Sequence, residues 1–119
     1  MKALKIFLLT ALCYLASYGQ NVVTSPLEKE KVVLDNEQFK VVEFESQPNG
    51  NVCGIGMHHH EPHLVITLSD VSALQTMEGQ KSKPVAIMAG VTHWVEEETH
   101  AAVNAGDKPI KILVIYLKD

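Results

Sequence analysis

Four of the six histidines of the chain fall between positions 58 and 63, in the stretch GMHHHEPHLVITL. Side chains alternate between the two faces of a β-strand, so His58 and His60 should share one face while His59 lies on the other. Two imidazoles on one face at this spacing can bind the same metal ion. The pattern therefore predicts a metal site that contains His58 and His60.

Two further histidines could complete such a site. Pro62 cannot donate to a sheet and restricts Glu61 before it, so these residues should form a corner between two strands. His63 then begins the next strand and can face back toward the pair. His100 begins the segment HAAVN and could join only if the sheet closes on itself. Imidazole suits iron, nickel, copper and zinc, and manganese is a further candidate. The sequence therefore predicts one divalent ion without identifying it.

Each of these residues also has a plainer interpretation. The histidines at 58, 60 and 100 could be solvated or core residues, and His63 could line a pocket or cap a strand. His93 is interpreted as a half-buried histidine, with an orienting role beside the metal as the alternative. Glu61 is the one candidate catalytic base, although it could simply occupy the turn. The run Glu96 to Glu98 is interpreted as a solvated loop edge.

The residues that precede His58 bear on the space around it. If Asn51 to His59 forms one strand, Gly54 and Gly56 lie on the face of His58, and Cys53 lies on the opposite face. The glycines would then leave room for a ligand, or else mark a bulge or a close backbone approach. Cys53 is interpreted as a buried strand residue, with metal ligation as the alternative.

The elements that must position these residues are short strands. Segments rich in valine, isoleucine and aromatic residues alternate with turn signals such as QPNGN, EGQKSK and NAGDKP. No segment of helical length shows a convincing 3.6-residue apolar period. An all-β domain, either a sandwich or a barrel, is predicted.

The N-terminus is predicted to be a secretory signal. Lys2 and Lys5 precede an apolar run that ends in small residues, so we expect cleavage after Gly19 and export to the periplasm or beyond. The alternative, a retained membrane anchor, is disfavoured because the run is shorter than the roughly 18 to 20 residues that span a bilayer. Residues 20–36 would form a polar lead with a first strand, and residues 37–119 the main domain.

Charge and composition exclude some partners. The chain has ten lysines, no arginine and fourteen acidic residues, and loss of two lysines with the signal would leave a formal charge of −6. Such a surface disfavours nucleic acid. An anionic ligand would have to be held by lysine, backbone amides, histidine or a metal. Whether the protein is a monomer or a homodimer stays open.

The order of the motifs resembles that of the small single-domain cupins. The resemblance rests on His58-x-His60, the apolar strand LVITL, a hairpin near Gly79, and HAAVN from His100 to Asn104. It covers the chain from about Val41 onward. It implies a small antiparallel barrel, a double-stranded β-helix, with His58, His60 and His100 as metal ligands. The family usually has a glutamate ligand where this chain has His63, so His63 is the expected fourth ligand.

The resemblance also implies a function. Small cupins often act as metal-dependent enzymes, so an oxygenase-type enzyme acting on a small molecule is the first expectation, with dioxygenase-like or isomerase-like chemistry. An all-histidine site would keep the full charge of the ion, which favours an anionic substrate. The alternative is a non-catalytic module that binds a metal or a small ligand, since the fold hosts both.

Overall fold

A computed structural model describes residues 27–119, and all of their regular secondary structure is β-strand. The strands are β1 (Glu28–Asp35), β2 (Phe39–Ser46), β3 (His58–His60), β4 (His63–Thr67), β5 (Val71–Met77), β6 (Lys83–Ile87), β7 (Thr92–Val95), β8 (Glu98–Asn104) and β9 (Ile110–Leu117). The prediction of an all-β domain is confirmed. The predicted signal, residues 1–19, and the start of the lead lie outside the described residues. Within 27–119, nothing helical is long and apolar enough to cross a membrane.

The strands form two antiparallel sheets that pack face to face as a jelly roll. One has five strands in the order β1-β2-β9-β4-β7, and the other has four in the order β3-β8-β5-β6. No strand pairing joins the two sheets among the described residues, so the expected barrel is a double-stranded β-helix that does not close.

The core lies between the sheets and follows strand alternation. In β2 the inward residues are Val42, Phe44 and Ser46, and in β9 they are Ile110, Ile112 and Val114. The two strands pair with Val42 opposite Val114 and Phe44 opposite Ile112. Their alternate residues therefore bury one apolar surface, each large side chain contributing roughly 1.5 to 3 kcal/mol.

The predicted corner at Glu61 and Pro62 is confirmed. β3 ends at His60 in the four-stranded sheet, and β4 begins at His63 in the five-stranded sheet. The two residues between them carry the chain from one layer to the other. Since both His60 and His63 are buried, the corner turns two histidines toward the same interior.

The segment before β3 differs from its predicted form. Residues 52–57 make a series of bends, and the strand starts only at His58. Gly54 has φ +146° and Gly56 has φ +59°, conformations that break an extended strand and that suit glycine. The alternation extrapolated back from His58 therefore fails, and the assignment of Cys53 to the opposite face is wrong.

Asn104 ends β8 and stabilises the turn after it. Its amide donates to the carbonyls of Ser46 (3.1 Å) and Lys108 (2.8 Å), and its Oδ1 accepts from the amide of Gly106 (3.0 Å). Asn104 therefore acts as a structural turn residue.

Candidate metal centre

Strand pairing brings the distant histidine to the pair. β3 and β8 are antiparallel neighbours, and His58 lies directly opposite His100 while His60 lies opposite Glu98. His100 thus reaches the site through a single strand pair, without the sheet having to close on itself. His60 and His100 are buried, whereas His58 is half-buried at the rim.

Four donor atoms converge at this point. Nε2 of His58 lies 2.8 Å from Nε2 of His60. Sγ of Cys53 lies 3.5 Å from Nε2 of His58 and 3.3 Å from Nε2 of His100. The ligand atoms of all four residues lie within 4.8 Å of one another. The structure therefore brings together three predicted ligands, His58, His60 and His100, and adds a thiol.

The opposite nitrogen of each histidine ring has a partner that can orient it. Nδ1 of His58 donates to the carbonyl of Gly56 (2.8 Å), and Nδ1 of His60 lies 2.7 Å from the hydroxyl of Tyr116. Nδ1 of His100 lies 3.2 Å from a carboxylate oxygen of Glu98 and 2.9 Å from the amide of Gln75. A proton held on Nδ1 leaves the Nε2 lone pair free, as metal ligation requires.

The separations fit a first-row metal ion. Metal bonds of about 2.05 Å to nitrogen and 2.3 Å to sulfur, at angles between about 90° and 110°, put two nitrogens roughly 2.9 to 3.4 Å apart, and nitrogen and sulfur roughly 3.1 to 3.6 Å apart. The observed values of 2.8, 3.3 and 3.5 Å match these ranges within 0.2 Å. Imidazole and thiolate are also chemically suited to such ions. The residues present therefore fit a metal.

Burial keeps the imidazoles neutral. Desolvation, followed by the neighbouring histidines, lowers the pKa of His60 to about 3 and that of His100 to about 4. Neutral imidazole is the form that binds metal. Desolvation also raises the pKa of the Cys53 thiol to about 12, with a smaller contribution from Glu28 and Glu98. Without a metal, His60, His100 and the Cys53 thiol are thus uncharged at neutral pH.

His63, the expected fourth ligand, lies beside the cluster. Its ring centroid is 5.0 Å from that of His60 and 5.4 Å from that of Tyr116. Its Nδ1 donates to the carbonyl of Glu61 at 2.7 Å, which leaves Nε2 as its free nitrogen. His63 does not belong to the group of four whose ligand atoms all approach within 4.8 Å. The structure thus brings two candidates near the fourth position, Cys53 within the cluster and His63 next to it.

A cavity of about 310 Å³ opens from the cluster into the space between the sheets. The polar residues of its lining are Cys53, His63, Thr67, Gln75, His93, Glu98 and His100. The remaining wall is almost wholly aliphatic, and it includes Val52, Val65, Val71, Ala73, Val85, Ile87, Val95, Ala102, Ile112 and Val114. Among residues 27–119, no lysine lines the cavity. A metal held by the cluster would therefore border a largely apolar space between the sheets.

The carboxylates are arranged differently from the prediction. Glu61, the candidate base, is exposed and lies 3.3 Å from His59, which also meets Glu97 at 3.2 Å. These three residues form an exposed group on the outer face, where alternation placed His59. Glu98, by contrast, is 16% exposed and lines the cavity, so its interpretation as part of a solvated loop edge is wrong. Desolvation raises the pKa of Glu98.

Sequence reasoning missed some residues that border this site. Cys53 was assigned to the wrong face because the two glycines after it were treated as strand residues. Glu98 could have been found, since it precedes His100 by two positions and therefore shares its strand face. Tyr116 and Gln75 gave no sequence signal, because only the pairing of their strands brings them to His60 and His100. Trp94, Met57 and Met88 are of residue types that usually pack in a core, yet all three are exposed.

Solved structures similar to this chain share its architecture. A cupin domain from Bordetella pertussis Tohama I matches with a TM-score of 0.70 and 23% identity over 82% of this chain and 99% of its own. The polyketide cyclase RemF from Streptomyces resistomycificus matches with a TM-score of 0.59 and 21% identity, over 79% and 67% of the two chains. KdgF from Halomonas sp. matches with a TM-score of 0.56 and 12% identity, over 82% of this chain and 85% of its own. No family model and no curated protein matches the chain.

Fold and comparisons together define the class of protein. Two antiparallel sheets with a histidine cluster opening into the space between them form a double-stranded β-helix. The chain has the cupin fold, which confirms the resemblance drawn from the spacing of the histidine motifs.

Proposed function

We propose that the protein is a metal-dependent enzyme of oxygenase type that acts on a small molecule bound between its two sheets. One observation carries the proposal: the donor cluster and the cavity between the sheets share walls, with Cys53, His63 and His100 belonging to both the cavity and the surroundings of the metal position. A bound metal would supply a Lewis acid and, for a redox-active ion, electrons for dioxygen chemistry. The reaction class itself rests on the resemblance to small cupins.

The cavity wall indicates the kind of molecule that fits. Its volume of about 310 Å³ lies at the small end of the range for small-molecule sites, roughly 300 to 1,000 Å³. Because the wall is aliphatic and carries no lysine, the metal is the only cation proposed to meet a negative group of the ligand. We infer a short aliphatic molecule with one polar group, such as a carboxylate or ketone oxygen, directed at the metal.

Three residues would assist the chemistry from the protein side. Glu98 holds the ring of His100 through Nδ1, and its raised pKa suits a group that takes up and returns a proton near the ligand. His63 presents a ring nitrogen, Nε2, that has no hydrogen-bond partner within residues 27–119 and lies beside the cluster. Tyr116 holds His60 from the opposite sheet. Glu61 points to the outer face and is not assigned a role here.

The alternative function is a non-catalytic binding module. The number of protein ligands favours this alternative if the bound ion is tetrahedral. Four protein ligands fill a tetrahedral ion such as zinc and leave no position for a substrate. An ion that accepts six ligands, such as iron or manganese, would keep two positions open. The identity of the metal therefore separates an enzyme from a metal-capturing module.

Elemental analysis and a turnover assay test the proposal. The full chain, purified without chelator, should contain about one metal ion per chain. Loaded in turn with iron, manganese, nickel or copper, it should consume dioxygen with at least one of these ions when short aliphatic oxo acids or ketones are added. The zinc-loaded protein and the His58→Ala/His60→Ala variant should not, since zinc has no redox chemistry. A protein that holds metal with four protein ligands and converts none of these compounds would instead be a binding module. A protein that takes up no metal would contradict both functions.

We also propose that the protein is exported, on the basis of its first nineteen residues. N-terminal sequencing of the protein recovered outside the cytoplasm should begin at Gln20. A chain that retains Met1 in the membrane fraction would instead support an anchor.

A further inference from the structure

Cys53 is the one residue of the donor cluster that neither strand alternation nor the histidine motifs predicted. We propose that its thiolate is the fourth protein ligand of the metal, with His58, His60 and His100 as the other three, and that His63 stays outside the coordination sphere. This inference rests on the metal site of the proposed function. It deepens that function because it fixes the charge and the softness of the centre.

The backbone around Cys53 holds the thiol in place. The amide of Val52 donates to the carbonyl of Ala102 at 2.9 Å, and Asn51 forms a bridge with Val103. The segment that leads to Cys53 is thus paired with β8, the strand that carries His100. Cys53 follows directly, is 8% exposed, and lies within 3.5 Å of two imidazole nitrogens. The position of the thiol is therefore set by a strand pairing and does not depend on a free loop.

Two glycines then return the chain to β3. A Cβ atom on Gly54 would lie 2.9 to 3.0 Å from the ring of His58, so the backbone passes directly against that ring. Gly56 accepts from Nδ1 of His58 through its carbonyl, and this hydrogen bond aims Nε2 of the ring at the cluster. The seven residues from Val52 to His58 therefore form a compact bend that supplies two donors, Sγ of Cys53 and Nε2 of His58.

The surroundings of the thiol favour a ligand over a packing residue. A buried cysteine that only fills space would contact carbon atoms, whereas Sγ of Cys53 faces ring nitrogens at 3.3 and 3.5 Å. The Gly56 carbonyl takes the Nδ1 proton of His58, which leaves the Nε2 lone pair of that ring directed at the sulfur. Electron-rich atoms this close require a cation or a proton between them. A divalent ion satisfies all four donors at once.

A thiolate ligand would change the centre in two ways. Thiolate selects zinc, copper or iron over magnesium and manganese, because these ions accept soft ligands. It also cancels one unit of the charge of the ion, so the ligand in the cavity would meet a weaker field than an all-histidine site provides. His63, left uncoordinated, would keep its free nitrogen beside the cavity, where it can accept a hydrogen bond from the bound molecule.

Cobalt(II) titration of the full chain tests the inference, because thiolate ligation gives a charge-transfer absorption in the near ultraviolet that imidazole ligation does not. The experiment uses metal-free protein under anaerobic conditions, in a Cys13→Ser background that removes the only other cysteine. We expect the band to grow to one equivalent of cobalt. It should persist in His63→Ala and disappear in Cys53→Ser, with cobalt bound at least about tenfold more weakly, since even the groups that support ligands contribute 10- to 100-fold.

Each other outcome overturns the inference. One equivalent of cobalt bound without the band would show that Cys53 is not a ligand. This result needs no substitution in the cluster, so misfolding of a variant cannot explain it. A band that survives in Cys53→Ser would show that the absorption does not come from this thiolate. Affinity that is lost in His63→Ala but kept in Cys53→Ser would place His63 in the fourth position. These results leave the metal-dependent function standing. If the parent protein binds no cobalt and no other divalent ion, the proposed function and this inference both fall.

Discussion

His58 on β3 lies directly opposite His100 on β8, and this one pairing builds the core of the candidate metal centre. Cross-strand neighbours in an antiparallel pair have Cβ atoms about 4.5 to 5.5 Å apart, which is the range over which two imidazoles can converge on one ion. The ring centroids are in fact 4.8 Å apart. The pairing of β3 with β8 therefore fixes the positions of two candidate ligands, His58 and His100.

Substitution of the cluster histidines should remove metal binding, and substitution of their neighbour should not. We expect His100→Ala to weaken binding of zinc or cobalt by at least about 100-fold. The substitution removes a metal ligand, the imidazole that Glu98 orients. His59→Ala is the matched control, since His59 sits within the same three-residue strand and faces the exposed Glu61 and Glu97. Competition against a chromophoric chelator measures both affinities. Equal losses in the two variants would contradict the assignment.

Gly54→Ala should damage the site through the ring of His58. The added Cβ would lie within about 3.0 Å of three ring atoms, closer than side chains tolerate, so the ring must shift away from the cluster. We expect metal affinity to fall about tenfold or more, together with a loss of stability of roughly 1 to 3 kcal/mol from the strained backbone at φ +146°.

Gly79→Ala controls for the backbone effect of the Gly54 substitution. Gly79 also has a positive φ, +73°, but nothing lies within 4 Å of its added Cβ, and it is in the turn after β5. It should lower stability by roughly 1 kcal/mol and leave metal affinity unchanged. Denaturant unfolding and metal titration of both variants separate strain from ring displacement. Unchanged affinity in Gly54→Ala would show that the bend does not hold His58 in place.

The stability of the metal-free protein should fall as the pH is lowered from about 6.5 to about 4. Burial lowers the pKa of His60 to about 3 and that of His100 to about 4, whereas both take up protons near pH 6.5 in the unfolded chain. The unfolded state then binds more protons over this interval, so the free energy of unfolding decreases with falling pH. Thermal unfolding in chelator should show Tm lower by roughly 5 °C or more at pH 4.5 than at pH 7.

The double variant His60→Gln/His100→Gln tests the origin of that pH dependence. Glutamine does not titrate in this range, so the variant should lose most of the difference in Tm between pH 7 and pH 4.5. His59→Gln, on the exposed face, should keep it. A slope that is the same in all three proteins would assign the pH dependence to the carboxylates instead.

Much of this site could be predicted because strand alternation and proline act locally. The separation of His59 from His58 and His60 required only that three residues be extended, and the corner at Pro62 required only the chemistry of proline. The second motif, at His100, could be joined to the first only through its resemblance to a known family. Its actual route, a direct pairing of β3 with β8, depends on sheet order, which one sequence does not determine.

The residues that were missed depend on conformations and distances that the sequence does not specify. Cys53 was misplaced because Gly54 and Gly56 adopt positive φ values, and a glycine in an apolar segment is compatible with either a strand or a bend. Tyr116 meets His60 only because β3 and β9 belong to opposite sheets that face each other. Trp94 is of a residue type that is largely buried on average, yet it is exposed and its indole donates to Glu96 at 3.0 Å. Composition cannot reveal on which side of an edge strand a large residue lies.

Removal of the metal should lower thermal stability by an amount that reports on affinity. A ligand that binds only the folded state stabilises it by RT ln(1 + [L]/Kd), about 2.7 kcal/mol at a free concentration 100 times Kd. For a domain of this size, 1 kcal/mol shifts Tm by roughly 4 to 8 °C, so saturation with zinc or cobalt should raise Tm by roughly 10 to 20 °C above the value in chelator. The shift should vanish in His58→Ala/His60→Ala and persist in His59→Ala. A shift of the same size in the double variant would mean that the ion binds elsewhere, for instance at the exposed group of His59, Glu61 and Glu97.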